Sequence, residues 1–122
     1  MRLYTSIVIK GQGRAAALGY PTANIALADD SVSGIYAARV KVGGAEYIAV
    51  AFADQKRKLL EAHLLDFSGE LSAKGGYASG GNGKSITIEL CKKIRKHKDF
   101  TNDDDLRAEI AKDVAKVRDY FR

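Results

Sequence analysis

The residues with the clearest chemical potential lie between Gly11 and Asn24, in the stretch GQGRAAALGYPTAN. This stretch holds three glycines, one arginine and the only proline of the sequence. Glycine lets a backbone approach a ligand closely and present its N–H groups, while Thr22 and Asn24 offer neutral oxygens that suit a hard cation or a phosphate-bound water. These residue types together predict a site for phosphate and a metal ion.

Two nucleotide-binding motifs nearly fit the sequence, and neither is accepted. The run from Gly11 to Ala16 satisfies the pattern G-x-G-x-x-G/A, but Gly19 and Pro21 leave too little room for the helix that a dinucleotide site needs. The run ASGGNGKS, which ends at Ser85, imitates a P-loop, but the alternating residues after it predict a strand instead of a helix. A Rossmann domain and a P-loop domain are therefore not expected.

Length and composition indicate one globular domain spanning residues 1–122. The chain has 122 residues, of which 46% are hydrophobic and 29% charged, values ordinary for a soluble protein. Cys91 is the only cysteine, so an intramolecular disulfide is excluded and a reducing, cytoplasmic setting is expected. No apolar stretch approaches the length of a membrane span, and we expect a monomer without a membrane partner.

The net charge of +5 is concentrated between Cys91 and Phe100, where five lysines and arginines face Asp99 alone. One interpretation is a solvated strand end and loop. The other is attraction to an anionic ligand, either nucleotide phosphates or a nucleic-acid backbone. Nucleic acid is the weaker of these two ligands, because no clear aromatic platform is interleaved with the charges.

Five strands are predicted, most of them from alternating apolar and polar residues and one, Glu46–Ala53, from a run that is apolar on both faces and so expected to be buried on both sides. Gly43-Gly44 is expected to be a hairpin turn and residues 25–33 a loop. In the fourth strand, Leu59–Phe67, every second residue shares a face, so Glu61 should project among the apolar side chains of Leu59, Leu65 and Phe67. His63 lies on the same face and is expected to be a packed or hydrogen-bonded residue. The predicted strands are Leu3–Ile9, Ile35–Val42, Glu46–Ala53, Leu59–Phe67 and Ile86–Leu90.

The spacing of apolar residues changes to that of a helix after Phe100. Thr101 with Asp104 resembles a capping box and predicts the start of this helix. Its apolar stripe is expected to pack on the core. The architecture is then mainly β, a small antiparallel barrel of five or six strands with a C-terminal amphipathic helix against it. The stripe consists of Leu106, Ile110, Val114, Val117 and Phe121.

The order of these segments resembles the riboflavin kinase, or flavokinase, family. The matching pieces are G-x-G-R, L-G-Y-P-T-A-N, G-I-Y-A, L-E-A-H-L-L-D-F and I-R-x-x-x-x-F, which occur in that order between Ile7 and Val117. The resemblance implies a six-stranded, Greek-key-like closed antiparallel barrel with a C-terminal helix. It also implies a kinase domain standing alone, without an adenylyltransferase domain before it, that transfers the γ-phosphate of ATP to the 5′-hydroxyl of riboflavin and yields FMN and ADP.

The resemblance also implies roles for individual residues. Glu61 would be the general base that takes the proton of the riboflavin hydroxyl, with a pKa raised by desolvation. Thr22 and Asn24 would hold Mg²⁺, and Arg95 and Phe100 would border the flavin. The remaining implied residues would surround the ATP phosphates: Gly11, Gly13, Arg14 and Gly19.

The sequence departs from the family pattern in four places, one of which is a loop, Gly75–Gly83, that looks longer than usual. The segment Ala51–Arg57 lacks the usual asparagine and proline turn, Ser72-Ala73-Lys74 replaces a Tyr-Gly-Lys segment, and His97 stands where glutamate is common. These departures leave open a domain that binds flavin or nucleotide without catalysis, beside the less favoured nucleic-acid-binding barrel. From the residues alone, Thr22 and Asn24 could equally be turn residues, and Glu61 a surface residue of its strand.

Overall fold

A computed structural model describes residues 2–9, 17–20, 22–67 and 85–122 of the chain. Gly11, Gly13, Arg14, Ser72 and Ala73 lie outside these residues, so the predictions made for them stay predictions. None of the helices within these ranges is long and apolar enough to cross a membrane. The elements are the strands β1 (Arg2–Ile7), β2 (Ala23–Ala26), β3 (Gly34–Val42), β4 (Ala45–Asp54), β5 (Leu59–Leu64) and β6 (Ser85–Arg95), and the helix α1 (Asp103–Tyr120).

The six strands form one antiparallel sheet in the order β1-β6-β3-β4-β5-β2. Strands β3, β4 and β5 follow one another as hairpins, and β6 returns to lie beside β3, which is a Greek-key arrangement. The amide of Ile9 donates a 2.7 Å hydrogen bond to the carbonyl of Asn24 and so brings the two edges of the sheet together. The result is a nearly closed barrel, as predicted, and an antiparallel sheet rules out a doubly wound Rossmann domain.

The barrel interior is filled by alternate residues of its strands. Leu60, Ala62 and Leu64 of β5 face inward and are buried, as are Val40 of β3 and Ile88 of β6. Since successive side chains of a strand point to opposite faces, the residues between them face outward. On β5 this places Glu61 and His63 on the outer face of the barrel.

A second, smaller core lies outside the barrel, between the sheet and α1. Val117 of the helix packs there with Ala37 of β3 and Leu65, and all three are buried. Ile48 and Val50 of β4 are half-buried against the same cluster. Strand β4 is therefore covered on both faces, which agrees with its apolar sequence.

Several strand boundaries predicted from the sequence were wrong, and β6, for example, continues to Arg95 instead of ending at Leu90. Residues 25–33 were expected to be a loop, but Ile25 and Ala26 belong to β2, which is too short to show a clear alternation. Strand β5 ends at Leu64 instead of Phe67, because Asp66 adopts a positive φ of 57° that turns the chain. Phe67 consequently packs toward the barrel interior, with its ring edge-on to Tyr47, and does not share the face of Glu61.

The N-cap of the helix lies one residue later than the capping box at Thr101 predicted. Asn102, not Thr101, is the N-cap residue, and its side-chain carbonyl accepts hydrogen bonds from the amides of Asp104 and Asp105 at 2.7 and 3.3 Å. The apolar stripe of α1 is also divided. Its second half, around Val117, packs on the outer core as predicted, while Leu106 and Ile110 line a cavity.

We expect the substitution Asn102→Ala to lower the free energy of unfolding by about 1 kcal/mol, the usual contribution of an N-cap side chain. The matched control is Thr101→Ala, which removes a neighbouring hydroxyl and should leave stability nearly unchanged. Urea denaturation of the two variants beside the wild type measures both values. Equal losses in the two variants, or a larger loss for Thr101→Ala, would contradict this assignment of the cap.

Candidate functional site

A cavity of about 580 Å³ lies on the outer face of the barrel. Its floor is formed by outward residues of β3, β4 and β5, and its sides by residues 95–100 and the first half of α1. This volume lies within the range of pockets that take small molecules and cofactors. Glu61, Thr22, Arg95 and Phe100, four residues singled out in the sequence, all line this cavity.

One end of the cavity is polar and is built by the pairing of β2 with β5. Asn24 lies directly opposite Glu61 in this ladder, so the two side chains share the outer face. Asn24 is 5% exposed. Its side-chain oxygen accepts a 3.0 Å hydrogen bond from the hydroxyl of Thr22, two residues earlier. Strand pairing therefore brings Thr22, Asn24 and Glu61 together, although nearly forty residues separate the first two from the third.

The electrostatic environment of Glu61 comes from the turn between β4 and β5. Burial raises the pKa of Glu61, and the nearby carboxylate of Asp54 raises it further, while Arg57 acts in the opposite direction. Asp54 is itself buried and held in place, because it accepts hydrogen bonds from the amides of Lys56 and Arg57 and from the Arg57 guanidinium. The upward direction of the Glu61 pKa shift agrees with the prediction. Phe67 was expected to contribute to this shift, but it packs toward the barrel core, and the carboxylate of Asp54 contributes instead.

The cavity also has an apolar lining. Apolar side chains reach it from the sheet floor, from the connection between β6 and α1, and from the helix. Phe100 precedes the helix, and Leu106 and Ile110 project from its first turns. The apolar lining is completed by Ile35 of β3 with Val50 and Phe52 of β4.

His97 forms part of the cavity wall through a stack on Phe52. The two rings are nearly parallel, 11° apart, with centroids 4.7 Å from each other. The His97 Nε2 atom lies 2.8 Å from a carboxylate oxygen of Asp99. Phe52 is the cross-strand partner of Glu61, so this stack stands next to the polar end. Both residues belong to places where the sequence departs from the riboflavin kinase pattern.

Arg95 is joined to Asp113 of α1 by two short hydrogen bonds, from Nε and Nη2 to the two carboxylate oxygens at 2.8 and 2.7 Å. Asp113 is 2% exposed. The bond to Asp113 raises the pKa of Arg95 above its ordinary value. The sequence interpretation overlooked Asp113. A signal was present, since this acidic residue occurs three positions after Ile110 and four before Val117, within the apolar stripe.

The segment before β2 contacts strand β5, which forms part of the cavity floor. The ring of Tyr20 packs edge-on against His63 of β5, with centroids 5.3 Å apart, and both residues line the cavity. His63 is thus a packed residue, as predicted. Gly19 precedes Tyr20 with a φ of +93°, a conformation that favours glycine. The roles of Gly11, Gly13 and Arg14 concern residues outside the described parts of the chain.

The donor set at the polar end fits a hard divalent cation. The oxygens of Thr22 and Asn24 are adjacent, neutral and of the type that Mg²⁺ accepts. Within residues 2–9, 17–20, 22–67 and 85–122, no group of three His, Cys, Asp or Glu side chains could hold a metal ion. A cation bound by Thr22 and Asn24 would therefore take further ligands from water and substrate phosphates, which is the usual situation of Mg²⁺ in phosphoryl transfer.

Comparison with known proteins points to one family. The family model described as riboflavin kinase matches residues 3–121. Bifunctional riboflavin kinase/FMN adenylyltransferases are similar to this chain, with 32% identity over 123 residues in Haemophilus influenzae and 30% over 127 residues in Bacillus subtilis. These matches cover 93% and 94% of this chain and 37% of each relative. The chain thus spans somewhat more than a third of the length of these relatives.

The fold also recurs in a solved structure. A Streptococcus pneumoniae protein described as a macrolide-efflux protein superposes with a TM-score of 0.70 at 22% identity, over 95% of this chain and 36% of that one. At this identity the likeness concerns the fold alone.

The raised pKa of Glu61 predicts a pH-dependent effect of Glu61→Gln on stability. Between the ordinary and the raised pKa, the folded protein binds more protons than the unfolded chain, so this residue lowers stability as pH rises. The free energy of unfolding of the variant should therefore equal that of the wild type at about pH 4 and exceed it at about pH 8. Urea denaturation across this range measures the difference.

The control is Glu46→Gln on β4, whose side chain is 48% exposed, and which should change stability little at any of these pH values. A Glu61→Gln variant less stable than the wild type at the upper end of the range would contradict the burial argument.

Proposed function

The chain belongs to the riboflavin kinase family, and we propose that it transfers the γ-phosphate of ATP to the 5′-hydroxyl of riboflavin, giving FMN and ADP. The observation that carries this proposal is the placement of Glu61 opposite Asn24, with Thr22 bonded to Asn24, beside a cavity that also has an apolar lining. A base and two hard oxygen donors thus lie beside a space suited to a flat, apolar ring.

Glu61 is proposed as the general base. As the riboflavin hydroxyl oxygen attacks the γ-phosphorus, its proton passes to the Glu61 carboxylate, and the bond from the γ-phosphorus to the ADP oxygen breaks. A base works best when its pKa lies near the working pH. Burial and Asp54 shift the pKa of Glu61 in that direction, while Arg57 limits the shift.

Thr22 and Asn24 are proposed to hold Mg²⁺, which when bound neutralises charge on the phosphate oxygens. The hydrogen bond between them fixes the two oxygens side by side. Gly11, Gly13, Arg14 and Gly19 are proposed to surround the phosphates, because they precede Thr22 in the chain. Positioning and charge neutralisation supply most of the catalysis in such reactions, so this arrangement matters at least as much as the base.

The apolar lining of the cavity is proposed to hold the flavin ring. Phe100, Leu106 and Ile110 line it on one side and β3 and β4 on the other. A flat ring placed there would direct its ribityl chain, and the terminal hydroxyl, toward Glu61. Phe100 would contact the flavin in this arrangement. Cytoplasmic location, a single domain and a monomer stay predictions from the sequence.

Binding of flavin or nucleotide without catalysis is the second candidate function. The stack of His97 on Phe52 favours it, since His97 departs from the family pattern and Phe52 lies in the segment Ala51–Arg57, which also departs from it. Nucleic-acid binding is less favoured, because Arg95 and Lys98 of the basic segment are paired with Asp113 and Glu109 of α1. Two of its five cations are thus partly neutralised within the protein.

The direct test incubates the purified protein with riboflavin, ATP and Mg²⁺ and follows FMN by chromatography. We expect FMN to form, and Glu61→Gln to lower kcat by roughly 10²- to 10⁴-fold, the usual contribution of general base catalysis. Glu46→Gln is the control and should retain wild-type turnover. Tight riboflavin binding without FMN would establish the binding-only candidate, and near-normal turnover in Glu61→Gln would remove this residue from the mechanism.

The metal assignment is tested by Thr22→Val, which replaces the hydroxyl by a methyl group of similar size. We expect the Mg²⁺ concentration for half-maximal activity to rise by roughly 10- to 100-fold, the effect of removing groups that hold or orient a metal. Thr5→Val on β1 is the control, since its hydroxyl pairs with Thr87 on the surface at 2.8 Å. An unchanged Mg²⁺ requirement in Thr22→Val would contradict the assignment.

A further inference from the structure

The pair formed by Arg95 and Asp113 is the most deeply buried ion pair in the described part of the chain, with side chains 14% and 2% exposed. It joins the last residue of β6 to the middle of α1. The other ion pairs of the described residues have at least one partner that is substantially exposed. A surface pair contributes little, whereas a buried, two-pronged pair fixes both position and orientation.

The guanidinium of Arg95 is directed to the protein by all three of its nitrogens. Two of them donate to Asp113, and Nη1 donates to the carbonyl of Lys96 at 3.0 Å. Three of its five N–H groups are thus occupied by the helix and by the chain's own backbone. A cation held in this way is poorly placed to bind a ligand, even though it lines the cavity.

The backbone of Arg95 is also constrained, by close contact with the start of β3. Gly34, at the start of β3, has a φ of +98°, and a Cβ atom at this position would lie 2.6 Å from the carbonyl oxygen of Arg95. Only a glycine permits this close approach. The end of β6 is therefore constrained at its backbone by Gly34 and at the Arg95 side chain by Asp113.

The segment that follows, residues 96–100, carries the cavity wall. It has no regular secondary structure, yet it includes His97, which stacks on Phe52, and Phe100, which is part of the apolar lining. The salt bridge of Lys98 to Glu109 adds a more exposed contact to the helix. The position of the wall thus depends on how the end of β6 is attached to α1.

We propose that Arg95 and Asp113 act as a positioning pair, which holds residues 96–100 over the cavity and thereby sets the affinity for riboflavin without touching it. This inference rests on the proposed function for the identity of the ligand. It gives Arg95, which was expected to border the flavin, an indirect role, and it adds Asp113, which lines the same cavity but is 2% exposed and has both carboxylate oxygens bonded to Arg95. Phe100 and His97 are the residues through which the pair would act.

Stability and positioning can be separated in this pair. Removing one partner leaves a buried, uncompensated charge, whereas replacing both by apolar residues of similar volume often preserves the fold. Arg95→Met and Asp113→Leu are therefore made singly and together. The double variant should regain most of the thermal stability lost in the single variants, but it cannot restore the hydrogen bond to the carbonyl of Lys96.

Steady-state FMN formation measures KM for riboflavin, KM for ATP and kcat in each variant. We expect KM for riboflavin to rise by roughly 10- to 100-fold, the scale of a misplaced binding group. The increase should be similar in both single variants and in the double variant. Changes in kcat and in KM for ATP should be much smaller. Asp119→Leu, on an exposed position of the same helix, is the control and should leave all three constants unchanged.

Two kinetic outcomes would overturn the inference. Recovery of both thermal stability and riboflavin KM in the double variant would reduce the pair to an ordinary structural contact. A much larger KM increase in Arg95→Met than in Asp113→Leu would mean that Arg95 contacts riboflavin directly.

Backbone NMR relaxation gives a readout that does not depend on activity. The amides of residues 97–100 should show lower order parameters in the double variant than in the wild type or Asp119→Leu, because the segment has lost its attachment. Unchanged order parameters would overturn the positioning role even if FMN forms normally. If the wild-type protein forms no FMN, the proposed function fails, while the relaxation experiment still decides whether the pair holds this segment.

Discussion

The pairing of β2 with β5 is the interaction on which both the barrel and the candidate site depend. It places Ile25 and Leu60 inside the barrel, where both are fully buried, and Asn24 and Glu61 outside. The same strand β2 receives the hydrogen bond from Ile9 that brings the sheet edges together. A slip of one residue in this register would turn Glu61 into the apolar interior and Leu60 toward the cavity, so the register is fixed by hydrophobic burial.

The sheet serves two cores, and this arrangement leaves room for the cavity. Its inner face closes around the barrel core, while part of its outer face packs under the second half of α1. The first half of the helix lies over the outward residues of β3 and β4 without filling the space between them. The apolar lining of the site is thus made of the same residue types as the core, and its ligand would complete the packing.

Charge in this protein is arranged by pairing across elements. The basic segment after Cys91 is not a uniform patch, because Arg95 and Lys98 are joined to acidic residues of α1. At the polar end, the carboxylates of Asp54 and Glu61 accumulate beside one arginine, Arg57. Burial of negative charge at this end raises the pKa of Glu61, and the same local field would favour a divalent cation beside the phosphates.

The sequence by itself determined the mainly β class and the C-terminal helix, because alternation and helical spacing are local properties. Residue type made Thr22 and Asn24 candidates for a metal site, and the family resemblance made Glu61 a candidate base. The sequence indicated the direction of the Glu61 pKa shift, but it named Leu65 and Phe67 as neighbours when Asp54 was the charged group close by. Strand β2 was missed because four residues carry too little periodicity, and the helix cap was misplaced by one residue because Thr101 and Asn102 are both good caps.

Only the tertiary structure decided that Thr22, Asn24 and Glu61 meet, since strand register joins residues that are distant in sequence. It also decided that Asp113 binds Arg95 and that the helix stripe is shared between core and cavity. These outcomes depend on which surfaces of sheet and helix face each other, and that is set by packing over the whole chain.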